Sequence, residues 1–123
     1  MCYTSIEQSN VLKGILSIDT ADVHYWSYKN GTTAVNVGHS EKLQKNFESR
    51  GFKYTPSWSL TALLSALRKV CEEVRIETHG EEKWICRITE PKTSLVDWCI
   101  MDNPVDACYG MIITLHKINV QFK

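Results

Sequence analysis

The stretch that most constrains this chain runs from Tyr54 to Val70 and contains Leu60-Thr-Ala-Leu-Leu-Ser-Ala-Leu-Arg-Lys-Val70. Leu60, Leu63, Leu64 and Leu67 follow the i, i+3, i+4, i+7 spacing that gathers side chains on one face of an α-helix. Ala62 and Ala66 flank that face and allow a neighbour to approach closely. Pro56 stops whatever precedes it, and Ser57 or Ser59 can cap the first turn. Arg68 and Lys69 fall in the last turn, where positive charge suits the helix dipole. Burying each leucine stabilises by roughly 1.5–3 kcal/mol, so a flat apolar surface must cover them. The next thirty residues provide one.

Residues 74–79 alternate, with Val74, Ile76 and Thr78 on one side and Arg75, Glu77 and His79 on the other. That period of two predicts a half-buried strand. Residues 83–89 place Trp84, Cys86 and Ile88 on one face, and residues 95–101 are apolar on both, which predicts a central or doubly covered strand. Gly80-Glu81 and Pro91-Lys92 mark the turns between them. Asn103 then caps a last helix with Pro104 at its first position and Asp106 near its positive end. Its buried stripe is Val105, Cys108, Tyr109, Ile112 and Leu115, and Val120, Gln121 and Phe122 suggest a short edge strand.

The N-terminal half is less regular. Residues 1–16 read as a weak helix, capped by Thr4 or Ser5, with Val11, Leu12, Ile15 and Leu16 as its apolar patch and Gly14 weakening its last turn. Asp19-Thr-Ala-Asp22 reads as a turn or a single helical turn in which Asp19 bonds amides ahead of it. Residues 23–29 form an aromatic strand, Asn30-Gly31 is the favoured pair for a two-residue hairpin turn, and residues 32–37 return. Gly38 closes that strand. Ser40 caps a helix over residues 41–50, ended by Gly51; only Leu43 and Phe47 are apolar in it, which predicts a surface helix. The order is α-β-β-α-α-β-β-β-α. It predicts an α+β fold in which a small antiparallel sheet, an N-terminal hairpin plus a three-stranded meander, packs with helices. No repeat or linker divides the chain, so residues 1–123 are expected to form one domain.

At 123 residues such a domain can build a core without staples. Fourteen Lys and Arg balance fourteen Asp and Glu, which argues against electrostatic capture of nucleic acid or an anionic membrane. No apolar run has the length of a membrane span, and the N-terminus lacks the basic and apolar regions of a signal peptide. A cytoplasmic location is expected. Five cysteines at irregular positions fit reduced thiols there better than a disulfide framework, and no cofactor or structural metal is expected.

Three segments carry a resemblance. Pro56-Ser-Trp-Ser-Leu-Thr-Ala-Leu-Leu64, Asn103-Pro-Val-Asp-Ala-Cys-Tyr-Gly-Met-Ile-Ile-Thr-Leu-His116 and Asp19-Thr-Ala-Asp22 resemble a family of short uncharacterised proteins from Bacteroidetes and their phages and mobile elements. The resemblance implies a small intracellular protein, phage- or element-borne. It transfers no catalytic residue, because the shared segments are caps and core positions. Residues 57–119 also run α-β-β-β-α, the order of a double-stranded RNA-binding domain. Such domains grip phosphates with lysines at the start of the last helix, where this chain reads Asp102-Asn-Pro-Val-Asp106. Nucleic acid is therefore not an expected partner.

Candidate chemistry is sparse. Cys2 would become an N-terminal nucleophile on loss of Met1, but glutaminase domains built that way carry a glycine next, where this chain has Tyr3, and are far longer. Cys71, Cys86, Cys99 and Cys108 include no Cys-x-x-Cys, although Cys86 and Cys99 can meet across two strands. Buried cysteines act mainly as small hydrophobes. His24, His39, His79 and His116 lie in different elements, with no spacing that predicts a Cys–His pair. No phosphate-binding glycine loop, Gly-x-Ser-x-Gly or paired carboxylates occur, and no catalytic residue is assigned. What stands out is His24-Tyr-Trp-Ser-Tyr28. Alternation sends Tyr25 to one face and His24, Trp26 and Tyr28 to the other, an aromatic strip with a repeat of about 6–7 Å. Exposed Tyr and Trp favour interfaces and base stacking, so His24, Trp26 and Tyr28 are the expected binding surface. The plain alternative is a helix covering one face while the other is partly solvated. Three functions compete. The first is a non-enzymatic binding protein that meets a protein partner, such as a host protein, or another copy of itself. The second is a protein sequestering a nucleotide-like ligand at an oligomer interface. The third is a small Cys/His enzyme.

Overall fold

In the computed structural model, which describes residues 2–28, 30–90 and 95–123, helices and strands alternate in an α+β arrangement. The elements are α1 (Ile6–Leu12), a 3-10 turn (Ile18–Thr20), β1 (Val23–Ser27), β2 (Thr33–Val37), α2 (Glu41–Ser49), β3 (Lys53–Ser57), α3 (Leu60–Val70), β4 (Glu73–His79), β5 (Lys83–Glu90), β6 (Leu95–Met101) and α4 (Pro104–Lys117). They form two separate antiparallel sheets, ordered β2-β1-β3 and β4-β5-β6.

The leucine stretch divides at Trp58. Its first part is β3, an element not anticipated because Pro56 lies inside it; a proline is tolerated there because β3 is an edge strand that pairs only with β1. Its second part is α3, and the cap is Ser59, whose hydroxyl accepts from the Ala62 N–H at 3.2 Å. Asp22, rather than Asp19, holds this junction, accepting from the Ser59 N–H at 2.8 Å and from the Ser59 hydroxyl. Thr4, fully buried, ties the N-terminus to the same place. Its hydroxyl accepts from the Trp58 N–H at 3.1 Å and lies 2.8 Å from the Ser9 hydroxyl and 3.0 Å from that of Ser57. Trp58 is itself fully buried and donates from Nε1 to Thr20 Oγ1 at 2.9 Å.

α3 and α4 pack on one face of the second sheet. Leu63 and Leu67 are fully buried, with Cys86, Ile88, Val105, Cys108, Met111, Ile112 and Leu115 around them, while Leu60 and Leu64 pack partly buried at the margin. The expectation that residues 95–101 form a central strand is corrected: β5 is central, buried through Ile85, Cys86 and Ile88, and β6 is an edge with Ile100 and Met101 partly exposed. Cys99 and Met101 of β6 lie against Gly110 of α4. A Cβ added at Gly110 would lie 2.6 Å from Cys99 Sγ, so α4 approaches β6 at a distance only glycine permits. The expected strand at residues 120–122 does not form. Asn119 adopts a left-handed conformation (φ 69°) that ends α4, the Val120 N–H bonds the Leu115 carbonyl at 3.0 Å, and Val120 and Phe122 pack on the core without a ladder. In the hairpin, Tyr28 pairs with Thr32 through a 2.9 Å hydrogen bond, so three residues, not two, separate them. Residue 29 of that turn lies outside the described residues.

α1 is shorter than expected and starts at Ser5, whose capping box with Gln8 satisfies both exposed amides. α2 crosses one face of the first sheet. That crossing creates the site considered next.

Candidate functional site

The alternation of β1 sends His24, Trp26 and Tyr28 to one face, as the sequence requires, and Trp26 pairs with Tyr54 while His24 pairs with Pro56 across β1 and β3. α2 then lays Phe47 over them. Its ring centroid lies 5.7 Å from His24, 5.3 Å from Trp26 and 5.7 Å from Tyr54. Gly51, at φ 81°, reverses the chain after α2 and brings Phe52 to 5.6 Å from Trp26 and 5.2 Å from Tyr28. The strip is thus one side of an aromatic cluster. The expectation of a continuous open strip is corrected accordingly: His24 is only 3% exposed, Trp26 is half-buried, and Tyr28 alone is open, at 44%. Phe47 carries the ring contacts of α2 with the sheet, Leu43 is partly buried on the same helix, and no residue of α2 is fully buried.

At the covered end the polar atoms form a chain. His24 donates from Nδ1 to the Gly38 carbonyl at 2.6 Å and stacks on Tyr54, with ring centroids 5.0 Å apart and planes 12° apart. Its Nε2 is buried without a hydrogen-bond partner among the described residues. The Tyr54 hydroxyl lies 2.8 Å from His39 Nδ1. Burial, helped by the charge of Glu48, pushes the Tyr54 phenol up to about 12. Burial and the neighbouring His24 push the His39 imidazole down, against a smaller opposing pull from Asp19. Both shifts move away from neutrality, whereas a working acid or base is tuned toward it. At neutral pH this pair holds its proton.

Two surfaces border the cluster. Along the flank of α2, Ile18, Asp19, His39, Glu41, Gln44, Lys45 and Glu48 line a cleft of about 350 Å³. Beyond the C-terminal end of α2, Tyr28 and Phe52 stand between two clefts of about 470 and 390 Å³; Lys53 lines the first and Arg50 the second. Sequence reasoning missed Phe47, Phe52, Tyr54 and His39 as companions of the strip. The period-two run Phe52, Tyr54, Pro56 was the signal that could have found β3.

The thiols gather elsewhere. Cys86 and Cys99 face each other across β5 and β6, and Cys108 of α4 joins them. Cys86 and Cys108 share a hydrogen bond that lowers the Cys86 thiol and, with burial, raises that of Cys108. None of the five cysteines is in a disulfide. His24 and His39 come together, while His79 and His116 are exposed on other elements. Among the described residues, no group of three or more His, Cys, Asp or Glu is arranged to hold a metal ion, and no helix is long and apolar enough to cross a membrane. Set against protein-family models, curated proteins and solved structures, the chain matches none of them.

Proposed function

We propose that the chain is a non-enzymatic binding protein of the cytoplasm, and that it meets a protein partner or another copy of itself through the open end of the aromatic cluster. The observation that carries this reading is the placement of Tyr28: 44% exposed, in edge contact with Phe52, and flanked by Arg50 and Lys53 while the rest of the face is covered. Tyr and Arg are favoured anchors at interfaces, because each combines a flat apolar surface with polar reach. Tyr28 presents its ring without loss of core, since His24, Trp26 and Tyr54 remain beneath α2. If the resemblance to phage and mobile-element proteins of Bacteroidetes reflects origin, a host protein is the natural partner. The test is sedimentation of the wild type and Tyr28→Ala, alone and with a candidate partner, beside thermal melts. Weakened association at an unchanged melting temperature supports the reading. Unchanged association removes it.

A nucleotide-like ligand is the second reading. It is favoured by one feature: an aromatic wall between two clefts, each lined by one cation among the described residues. Base stacking on such a wall with phosphate near the cation is sequence-tolerant chemistry. Titration of the wild type with a mononucleotide, followed by the NMR resonances of the Tyr28 and Phe52 rings, tests it: shifts confined to these rings support the reading and unchanged resonances remove it.

A further inference from the structure

We infer that the partner is a second copy of this chain, whose basic aromatic end, Tyr28 and Phe52 with Arg50 and Lys53, docks in the acidic cleft beside His39. This rests on the reading that the open aromatic end is a contact surface. Charge decides the occupant. The chain as a whole is neutral, with fourteen cations and fourteen anions, yet its charge is separated around α2. Asp19, Glu41 and Glu48 line the cleft beside His39, where Lys45 is the one Lys or Arg among the described lining residues and is paired with Glu41 at 3.1 Å. At the other end, Lys53 and Arg50 line the clefts beside Tyr28, and no carboxylate is among the described residues lining them.

Another copy of the chain offers an acidic cleft to the basic end and a basic end to the cleft. α2 has nine residues and is about 13 Å long at 1.5 Å per residue, so the separation of the patches along it is within the span of an ordinary interface of roughly 800 Å² per partner. Related by a two-fold axis, two copies can satisfy both patches at once, and this is the commonest closed arrangement of identical chains. Complementary patches of this kind set register and exclude wrong partners. Ile18, 39% exposed at the cleft, gives the incoming ring an apolar contact.

The experiment uses two charge-reversed proteins: Arg50→Glu with Lys53→Glu, which reverses the basic end, and Asp19→Lys with Glu48→Lys, which reverses the cleft. Circular dichroism melts establish that both fold. Sedimentation velocity at low salt should show the wild type self-associating, with weaker association at high salt, as screening requires. Each variant alone should be monomeric, because like charges now meet. Mixed in equal amounts, the two should form a one-to-one complex, because each reversed patch faces its complement. A wild type that stays monomeric at high micromolar concentration overturns the inference, and so does a mixture that stays monomeric. If both variants associate as the wild type does while Tyr28→Ala does not, the aromatic contact stands and the charge-guided docking is wrong. If Tyr28→Ala also associates normally, both are wrong.

Discussion

The two sheets are built from different materials and held in different ways. The second sheet is covered by α3 and α4 through aliphatic side chains that are fully buried, among them Leu63, Leu67, Met111, Ile112 and Leu115. The first is covered by α2 through aromatic rings, and no residue of α2 is fully buried. Aliphatic interdigitation over two long helices gives stability that removal of one group damages severely. A single ring, Phe47, reaching down from a nine-residue helix gives less, and it leaves ring edges at the surface. The difference teaches a contrast in how tightly the halves are held: one is packed to full burial and the other leaves Tyr28 open at its end. The outer face of the second sheet points the same way. Its charges close on one another, Arg75 on Glu73 at 2.5 Å and Arg87 on Glu77 at 3.1 Å, whereas Arg50 and Lys53 line their clefts beside the open ring of Tyr28.

Substitutions on the two sides should differ in kind. Leu67→Ala should cost about 2–5 kcal/mol in urea unfolding, as loss of a large buried side chain does. A cost under about 1 kcal/mol would mean that the aliphatic layer is not the foundation. Gly110→Ala should follow at about 1–3 kcal/mol, since its methyl group would press on Cys99 Sγ and force α4 away from β6. Trp26→Ala, in the half-buried aromatic cluster, should cost about 1–2 kcal/mol, well under the roughly 3–5 kcal/mol of truncating a fully buried Trp. A loss as large as that of Leu67→Ala would erase the contrast between the halves. Tyr28→Ala should stay within about 0.5 kcal/mol of wild type, as exposed substitutions do.

The smallest effect is that of pH. His39 is held below its ordinary value of about 6.5, so below that pH the unfolded chain takes up the proton more readily than the folded one. Its contribution is complete above about pH 6.5 and is lost as pH falls toward the folded value. Tyr54 acts at the alkaline side: its contribution is complete below about pH 10 and is lost as pH rises toward about 12. Thermal melts from neutral to mildly acid pH should therefore fall in the wild type and fall less in His39→Gln. Equal slopes would remove His39 from the account.

Much of this was legible in the chain, for reasons that also mark where legibility stopped. α3 and α4 were readable because their apolar spacing, caps and terminal charges agree, and Ser59, Asn103 and Pro104 occupy the positions their chemistry favours. β3 was hidden because a proline normally argues against a strand, and only the pairing of β1 on both sides shows that β3 is an edge. β6 was placed centrally because an apolar strand next to a glycine-dependent helix contact looks the same in sequence as one covered on both faces. For the candidate site, the alternation of His24, Trp26 and Tyr28 was correct, but their exposure was not legible. It depends on Phe47 and Phe52, which come from different elements, and a single sequence does not reveal which helix crosses which sheet.

The most direct test of the division between the halves is amide hydrogen exchange resolved along the chain. Exchange protection measures the free energy of local opening, and elements with few buried apolar contacts open first. The amides of α3 and α4 should exchange near the limit set by global unfolding, and those of α2 at least about tenfold faster, through an opening that leaves the second sheet intact. Protection of α2 equal to that of α3 would contradict the account, because the aromatic half would then be as firmly held as the aliphatic one.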